Sequence, residues 1–396
     1  MILTIIVFLL ILSVLVLIHE AGHYFVAKKF GIKVEEFGFG FPLTPAIWQM
    51  KKGETVYSFY PVLIGGFVKL YGEDEAGGGR LDGGSGKGSV KKEDEHRAFY
   101  SRSLAQRIAV VVAGVFMNAL LAVAVYYVFL AMGNFQTTLP LIGAHKFFGV
   151  DQKIVTQIEI SEVEKGSPAQ TAGITPFSTI ETLNGQKIED LNVFAQQIKE
   201  NAGNPITIAW KDEKLQKEHV ATVIPRLHPP KNQGALGVAF YPVRSVILAY
   251  DTPVQKLFSG FTHPANLMVY NFSALGYLIN LSVKEKNVAP VSQGVSGPVG
   301  IGFVVGSIIQ IPDVTQRIMQ LLNLFGLLSI SLAFFNVLPI PGLDGGRLFF
   351  LIIEAVTRKK VNPRIEGYIH AAGMAFLIIL LLLVTVKDVN QFIFSH

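Results

Sequence analysis

Two histidines and a glutamate stand where a long apolar run meets its first charges, in Ile18-His19-Glu20-Ala21-Gly22-His23. Residues four apart on an α-helix lie one above the other on the same face. His19 and His23 can therefore aim two imidazoles at one ion, with Glu20 beside them as candidate general base for a hydrolysis. Late in the chain comes Asn336-Val337-Leu338-Pro339-Ile340-Pro341-Gly342-Leu343-Asp344-Gly345-Gly346-Arg347, again in apolar surroundings. Asp344 would add a carboxylate to the two imidazoles, the donor set of a catalytic zinc site with one position left open. Glu354 is the competing carboxylate, but it precedes Arg358 by four residues, so a helical ion pair accounts for it. Two ordinary core histidines are a poor alternative, because imidazoles and a carboxylate in lipid cost several kcal/mol unless partnered.

The elements that must position these groups follow from the apolar pattern. Residues 1–18 carry no charge, and the run continues past the histidines to Lys28. That is more than the roughly 20 residues a bilayer requires, and the start lacks the basic flank and cleavage site of a signal peptide, so 1–30 reads as a retained span. Similar runs predict spans at 104–131, 318–346 and 368–388, the third carrying Asp344. In the second, Gly114 and Asn118 stand one turn apart, a close-packing glycine and an amide. Asn118 is either an interhelical hydrogen bond or a site-facing, substrate-binding group. Residues 31–72 alternate aromatic, β-branched and glycine residues and predict strands and hairpins, either membrane-associated or a small cap over the helix ends. Residues 73–103 are Gly/Ser-rich and charged, a flexible loop in which nothing apolar would hold Asp82 of Leu81-Asp82-Gly83. Over 253–317, Pro264–Val283 is studded with polar residues and Val299–Ile311 is too short to cross, so both predict interfacial or re-entrant helices.

Composition agrees. Of 396 residues 50% are hydrophobic and 16% charged, too apolar for an ordinary soluble enzyme and too charged for spans alone. The net charge of +5 belongs to lysines and arginines flanking the spans and points to no nucleic-acid partner. With no cysteine, disulfides and a Cys-ligated zinc site are excluded. Basic residues cluster in 28–107 and 347–364, which places both in the cytoplasm. Spans one and three then run in the same direction and bring His19, His23 and Asp344 to similar depth, with residues 150–245 outside.

That outer segment alternates strand-like runs around one helix near Leu191–Asn201. Gly166-Ser167-Pro168-Ala169-Gln170-Thr171-Ala172-Gly173-Ile174, followed by Leu183-Asn184-Gly185, resembles a PDZ domain, with Pro176-Phe177-Ser178-Thr179 where that family has Pro-Gly-Asp. Gly234-Ala235-Leu236-Gly237-Val238 is the candidate carboxylate-binding loop, in permuted order. The fold class is thus a polytopic α-helical membrane protein of about four transmembrane helices, with a cytoplasmic-side β-hairpin region and one extracytoplasmic PDZ-like α+β domain.

Taken together, HEAGH in the first span, GVFMN in the second, the PDZ-like segment and NVLPIPGLDGG in a later span resemble the bacterial site-2 protease family of intramembrane zinc metalloproteases, in its RseP/RasP type. The resemblance implies Zn2+ held by His19, His23 and Asp344, with Glu20 as general base. It implies that Asn336 helps to hold substrate or stabilise the oxyanion. It also implies that the hairpin region, with Gly66, Phe67 and Val68, presents substrate in extended form. The expected setting is the bacterial inner membrane, with the active site toward the cytoplasm. The expected substrates are single-span membrane proteins, such as anti-sigma factors or signal-peptide remnants, and the PDZ-like domain would bind a peptide C-terminus or filter by size. One PDZ-like domain is visible, where many RseP-type members have two. Two other readings compete: a PDZ-based membrane scaffold with a structural metal, and a metal transporter. For transport, spans two and four offer almost no further ionisable residues.

Overall fold

The computed structural model describes residues 2–42, 44–73, 92–188, 190–212, 217–231 and 233–391. The Leu81-Asp82-Gly83 triplet lies outside them. The chain divides into two compact units, residues 1–127 with 288–309 and 321–396, and residues 128–287 with 310–320.

In the first unit α1 (Ile2–Lys29) leads into a four-stranded sheet of β1 (Val34–Phe41), β2 (Trp48–Lys52), β3 (Thr55–Phe59) and β4 (Val62–Leu70). β2 and β3 form a tight hairpin through Gly53, whose φ of +66° suits glycine alone at little cost. β3 and β4 do not pair, although they are neighbours in sequence. β1 inserts between them, parallel to β3 and antiparallel to β4, giving the order β2-β3-β1-β4. Part of the segment expected to be a flexible loop is ordered: Lys92–Arg97 and Phe99–Ser101 are 3-10 turns. They are tied down by the Lys33 Nζ–Asp94 ion pair at 2.7 Å and by the Lys33 N–H donating to the Arg97 carbonyl.

α2 (Leu104–Met132) runs from the first unit into the second, which holds a seven-stranded sheet. Its elements are β5 (Gln136–Pro140), β6 (Asp151–Val163), α3 (Pro168–Thr171), β7 (Ser178–Leu183), β8 (Gln186–Lys187), α4 (Leu191–Glu200), β9 (Ile206–Asp212), β10 (Lys217–Val223) and β11 (Val238–Ala249). The strand order is β10-β9-β7-β6-β11-β5, with β8 hydrogen-bonded to β7. Alternate residues Ile206, Ile208 and Trp210 point inward, as a strand half-buried on one face requires. They meet Ile158, Ile160 and Ile180 from the sheet and Phe194 and Ile198 from α4 in one core. Asp190 caps α4 by accepting from the N–H groups of Asn192 and Val193.

After the sheet come α5 (Pro253–Glu285), α6 (Ala289–Gly294), α7 (Pro298–Ile309), α8 (Val314–Val337), α9 (Asp344–Thr357) and α10 (Pro363–Val389). Here the structure corrects two expectations. First, α5 is a single helix of 33 residues that passes through Pro264 instead of beginning there. It starts at a capping box between Thr252 and Gln255. Two of its polar residues are tied within the same unit: Asn266 exchanges hydrogen bonds with the Phe148 backbone, and the Tyr270 hydroxyl donates to the Pro140 carbonyl. Second, the third span ends at Val337, and Asp344 opens a separate helix. Pro339 and Pro341 cannot continue α8, because each lacks an N–H and clashes with the preceding turn. Among the described residues four helices, α1, α2, α8 and α10, are long and apolar enough to cross a membrane. The chain is a multi-pass membrane protein with a sheet domain.

Candidate metal centre

α1 places His19 and His23 on one face, and α9 brings Asp344 against both. His19 Nε2 lies 2.9 Å and His23 Nε2 3.3 Å from Asp344 Oδ2, and the two Nε2 atoms are 3.2 Å apart. An ion held tetrahedrally at about 2.0–2.1 Å from each ligand keeps the ligand atoms about 3.3 Å from one another. The three residues therefore fit a zinc ion with shifts of only about 0.4 Å or less. Among the described residues this is the group of His, Asp and Glu side chains able to share one metal.

The surroundings orient the three candidate ligands. His23 Nδ1–H donates to the Val110 carbonyl at 2.8 Å, which fixes the tautomer and leaves Nε2 as the ligand atom. Asn118 is wholly buried, and its side-chain amide lies 3.4 Å from His19 Nδ1. With its oxygen turned to the ring it accepts the Nδ1–H, the second hydrogen bond a ligating histidine needs. Its backbone carbonyl accepts from Ser329 Oγ of α8 at 2.8 Å, so Asn118 joins three helices.

Gly114 has a sharper role than helix packing. A Cβ there would lie 2.4 Å from His23 Nε2 and 2.6–2.7 Å from two His19 ring atoms, so only a bare Cα lets α2 pass over the imidazoles. Gly22 plays the reciprocal part, since a Cβ on it would come within 2.5 Å of the Ala113 carbonyl oxygen. The small residue one turn before Asn118 was the available signal.

Asp344 is positioned from outside its own helix. Gly342, at φ +97°, donates its N–H to His370 Nδ1 of α10 at 3.0 Å. Gly346 and Gly373 let the Pro341 loop lie against α10, where any side chain would meet backbone atoms at 2.6 and 2.2 Å. Arg347 pairs with Glu73, just past β4. Glu354 pairs bidentately with Arg107 of α2, at 2.9 and 2.5 Å. The expected partner, Arg358, instead closes α9 as a left-handed C-cap. Arg107 is 6% exposed, so its charge needs a close counter-ion, and Glu354 supplies one that Arg358 in solvent does not require.

Of the other predicted residues, Glu20 is half-buried beside the triad and Gly66 of β4 stands near it, where a Cβ would be 3.5 Å from Glu20 Cγ. Phe67 covers Gly38 of β1, and Val68 packs with Val34 and Leu70. Asn336 lies half-buried in the last turn of α8 and makes no hydrogen bond to the triad among the described residues.

Residues 7–380 match the sequence profile of Peptidase family M50. The chain belongs to that family, the site-2 proteases. Zinc metalloprotease RasP of Geobacillus kaustophilus is 27% identical, with 98% of each chain aligned. RasP of Bacillus licheniformis is also 27% identical, covering 98% of this chain and 99% of its own. A Clostridium perfringens protein whose name marks it as a candidate zinc metalloprotease is 30% identical over 96% of this chain and 97% of its own. The family match and these relatives make this chain a metalloprotease.

Proposed function

We propose that the chain is an intramembrane zinc endopeptidase that cuts within or near the transmembrane segment of single-span membrane proteins. The observation that carries this reading is a His-His-Asp triangle with sides of 2.9–3.3 Å whose two histidines belong to a helix apolar enough to cross a bilayer. His19, His23 and Asp344 would hold the zinc, which when bound polarises a carbonyl and acidifies water. Glu20 takes the proton from the attacking water and returns it to the leaving amide nitrogen. Asn118 holds the His19 ring, and Asn336 contributes to gripping the substrate near the scissile bond.

A peptide bond in a transmembrane helix is shielded by its own hydrogen bonds and must be unwound before attack. β4 supports that step. Among the described residues it is the terminal strand of its sheet, paired with β1 alone, and Gly66 brings it close to Glu20 and Val16 of α1. An extended stretch of substrate laid along Gly66, Phe67 and Val68 would exchange its lost helical hydrogen bonds for strand bonds beside the base. The seven-stranded sheet with α3 and α4 is read as a PDZ-like domain outside the cell membrane, acting as a filter or tail sensor, with the metal centre toward the cytoplasm. This follows the Lys/Arg-rich segments at 28–107 and 347–364.

The test is co-expression with a panel of tagged single-span proteins. Wild type should cut a subset, and Glu20→Gln and Asp344→Asn should cut none. Equal cleavage by all three would remove the assignment, and a scaffold function would survive Glu20→Gln unchanged.

A further inference from the structure

In the seven-stranded sheet, β6 leaves part of one edge open. β6 pairs with β11 over its whole length, from Asp151↔Ala249 to Val163↔Val238. On its other side it meets β7 only at Ile158 and Glu159. Between Lys153 and Gln157 no strand lies on that side among the described residues. Backbone N–H and C=O groups of an edge strand alternate in direction, so this stretch presents donors and acceptors that no ladder satisfies.

Three other edges of the two sheets, those of β10, β5 and β2, are blunted. β10 begins Lys217-Glu218, β5 ends at Pro140, and β2 ends at Lys51-Lys52. Charges and proline are the usual protection against a stray strand. The stretch Ile154-Val155-Thr156-Gln157 has no charge, proline or glycine, and three of its four residues are β-branched. Such a sequence at an open edge is a template for another strand.

Where β6 and β7 part, a cleft of about 370 Å³ opens, lined by Val155, Gln157, Thr179, Glu181, Lys187 and Ile188 among others. The register Thr138↔Ile247↔Lys153 puts Val155 and Gln157 on the face of Thr138 and Ile247, opposite the core residues Ile158 and Ile160. The floor is therefore uncharged and β-branched, with hydroxyls, and Glu181 and Lys187 offset one another at its rim. The foot of the cleft is close in the chain to a membrane helix. Ala249, opposite Asp151, also pairs with Gln136, which follows the end of α2 at Met132 by four residues. Residues 151–157 extend only about 20 Å from that row, at about 3.3 Å per residue.

We propose that this edge of β6 takes up, by strand addition, the extended polypeptide segment that follows a substrate's transmembrane helix out of the bilayer. The edge itself stands on the geometry above; the identity of its occupant rests on the proposed proteolysis. A segment rich in uncharged β-branched residues and free of proline fits best.

The chain has no cysteine, so single cysteines can be placed without background. In full-length Glu20→Gln protein in membranes, Val155→Cys and Gln157→Cys are tested for disulfide cross-linking to cysteines walked along the juxtamembrane segment of a single-span reporter. Strand addition predicts a period of two, with alternate reporter positions severalfold stronger than those between them. The maxima should move by one position for Thr156→Cys, which faces the other way. Val220→Cys on β10 should give none. A flat pattern, no cross-link, or equal cross-linking at Val220 overturns the proposal. The readout needs no cleavage, so a reporter that wild type fails to cut counts against the proteolytic reading and leaves the strand pairing to be decided by its own periodicity.

Discussion

α1 and α9 both supply side chains to the candidate metal centre, by opposite means. α1 is a 28-residue helix whose pitch alone brings His19 and His23 together, and their Nε2 atoms lie 3.2 Å apart because they are one turn apart. α9 is 14 residues long and begins at Asp344 itself, where helical geometry dictates nothing about the distance to α1. Its place is set by a glycine-permitted contact with α10, by the Gly342–His370 hydrogen bond, and by the ion pairs Arg107–Glu354 and Arg347–Glu73. One half of the site is local chemistry on a robust element. The other half is held by partners far away in sequence, and should be vulnerable through them.

Losing a ligand should have the largest effect. His23→Ala is expected to bring bound zinc, measured by atomic emission on purified protein, to background and to abolish reporter cleavage, while Glu20→Gln keeps zinc and loses cleavage. If both variants keep zinc, the ligand set is wrong. Next comes the remote support. Glu354→Leu strands the buried Arg107 charge and should cost about 3–5 kcal/mol in unfolding experiments, with loss of zinc. The double variant Arg107→Leu/Glu354→Leu should recover most of it; equal loss in both would show that the pair does not hold α9.

A contrast from the other unit should follow at about 3 kcal/mol. Burial pushes His263 of α5 down from 6.5 to about 4, so its ring stays neutral in the folded protein, with Nδ1 3.0 Å from the Tyr250 hydroxyl. The unfolded chain protonates it first. Its contribution is complete above about pH 6.5 and is lost as pH falls toward 4. With Trp48→Phe leaving Trp210 as reporter, acid destabilisation should flatten in His263→Phe; an unchanged slope would assign it to other groups. The smallest effect expected is that of Asn118→Leu, about 10–100-fold in zinc affinity through the His19 ring, with Asn118→Ser closer to wild type. Gly114→Ala should exceed that loss, since its methyl group meets both imidazoles directly.

The easily read features are those whose cause is local. The His-x-x-x-His spacing, the apolar runs of α1, α2, α8 and α10, and the alternation along β9 depend on helix pitch, strand pleat and bilayer thickness. The misread features have causes elsewhere in the chain. Arg358 is four residues from Glu354 and looks sufficient, yet desolvation of Arg107 claims that carboxylate. Pro264 looks like a helix start, but the Thr252/Gln255 capping box, itself visible in the sequence, had already begun α5. Nothing in residues 55–70 announces that β1 will separate β3 from β4, because strand order is decided by which edges meet in three dimensions.

By itself the sequence determined a pair of imidazoles and a neighbouring carboxylate on a helix apolar enough to cross a membrane, because the α-helix imposes its spacing wherever it forms. That Asp344, 321 residues beyond His23, closes the triangle, and that a bare Gly114 covers it, was decided by the tertiary structure. Only packing brings α1, α2 and α9 to one point, and the buried charges around α9 have no partners until it does.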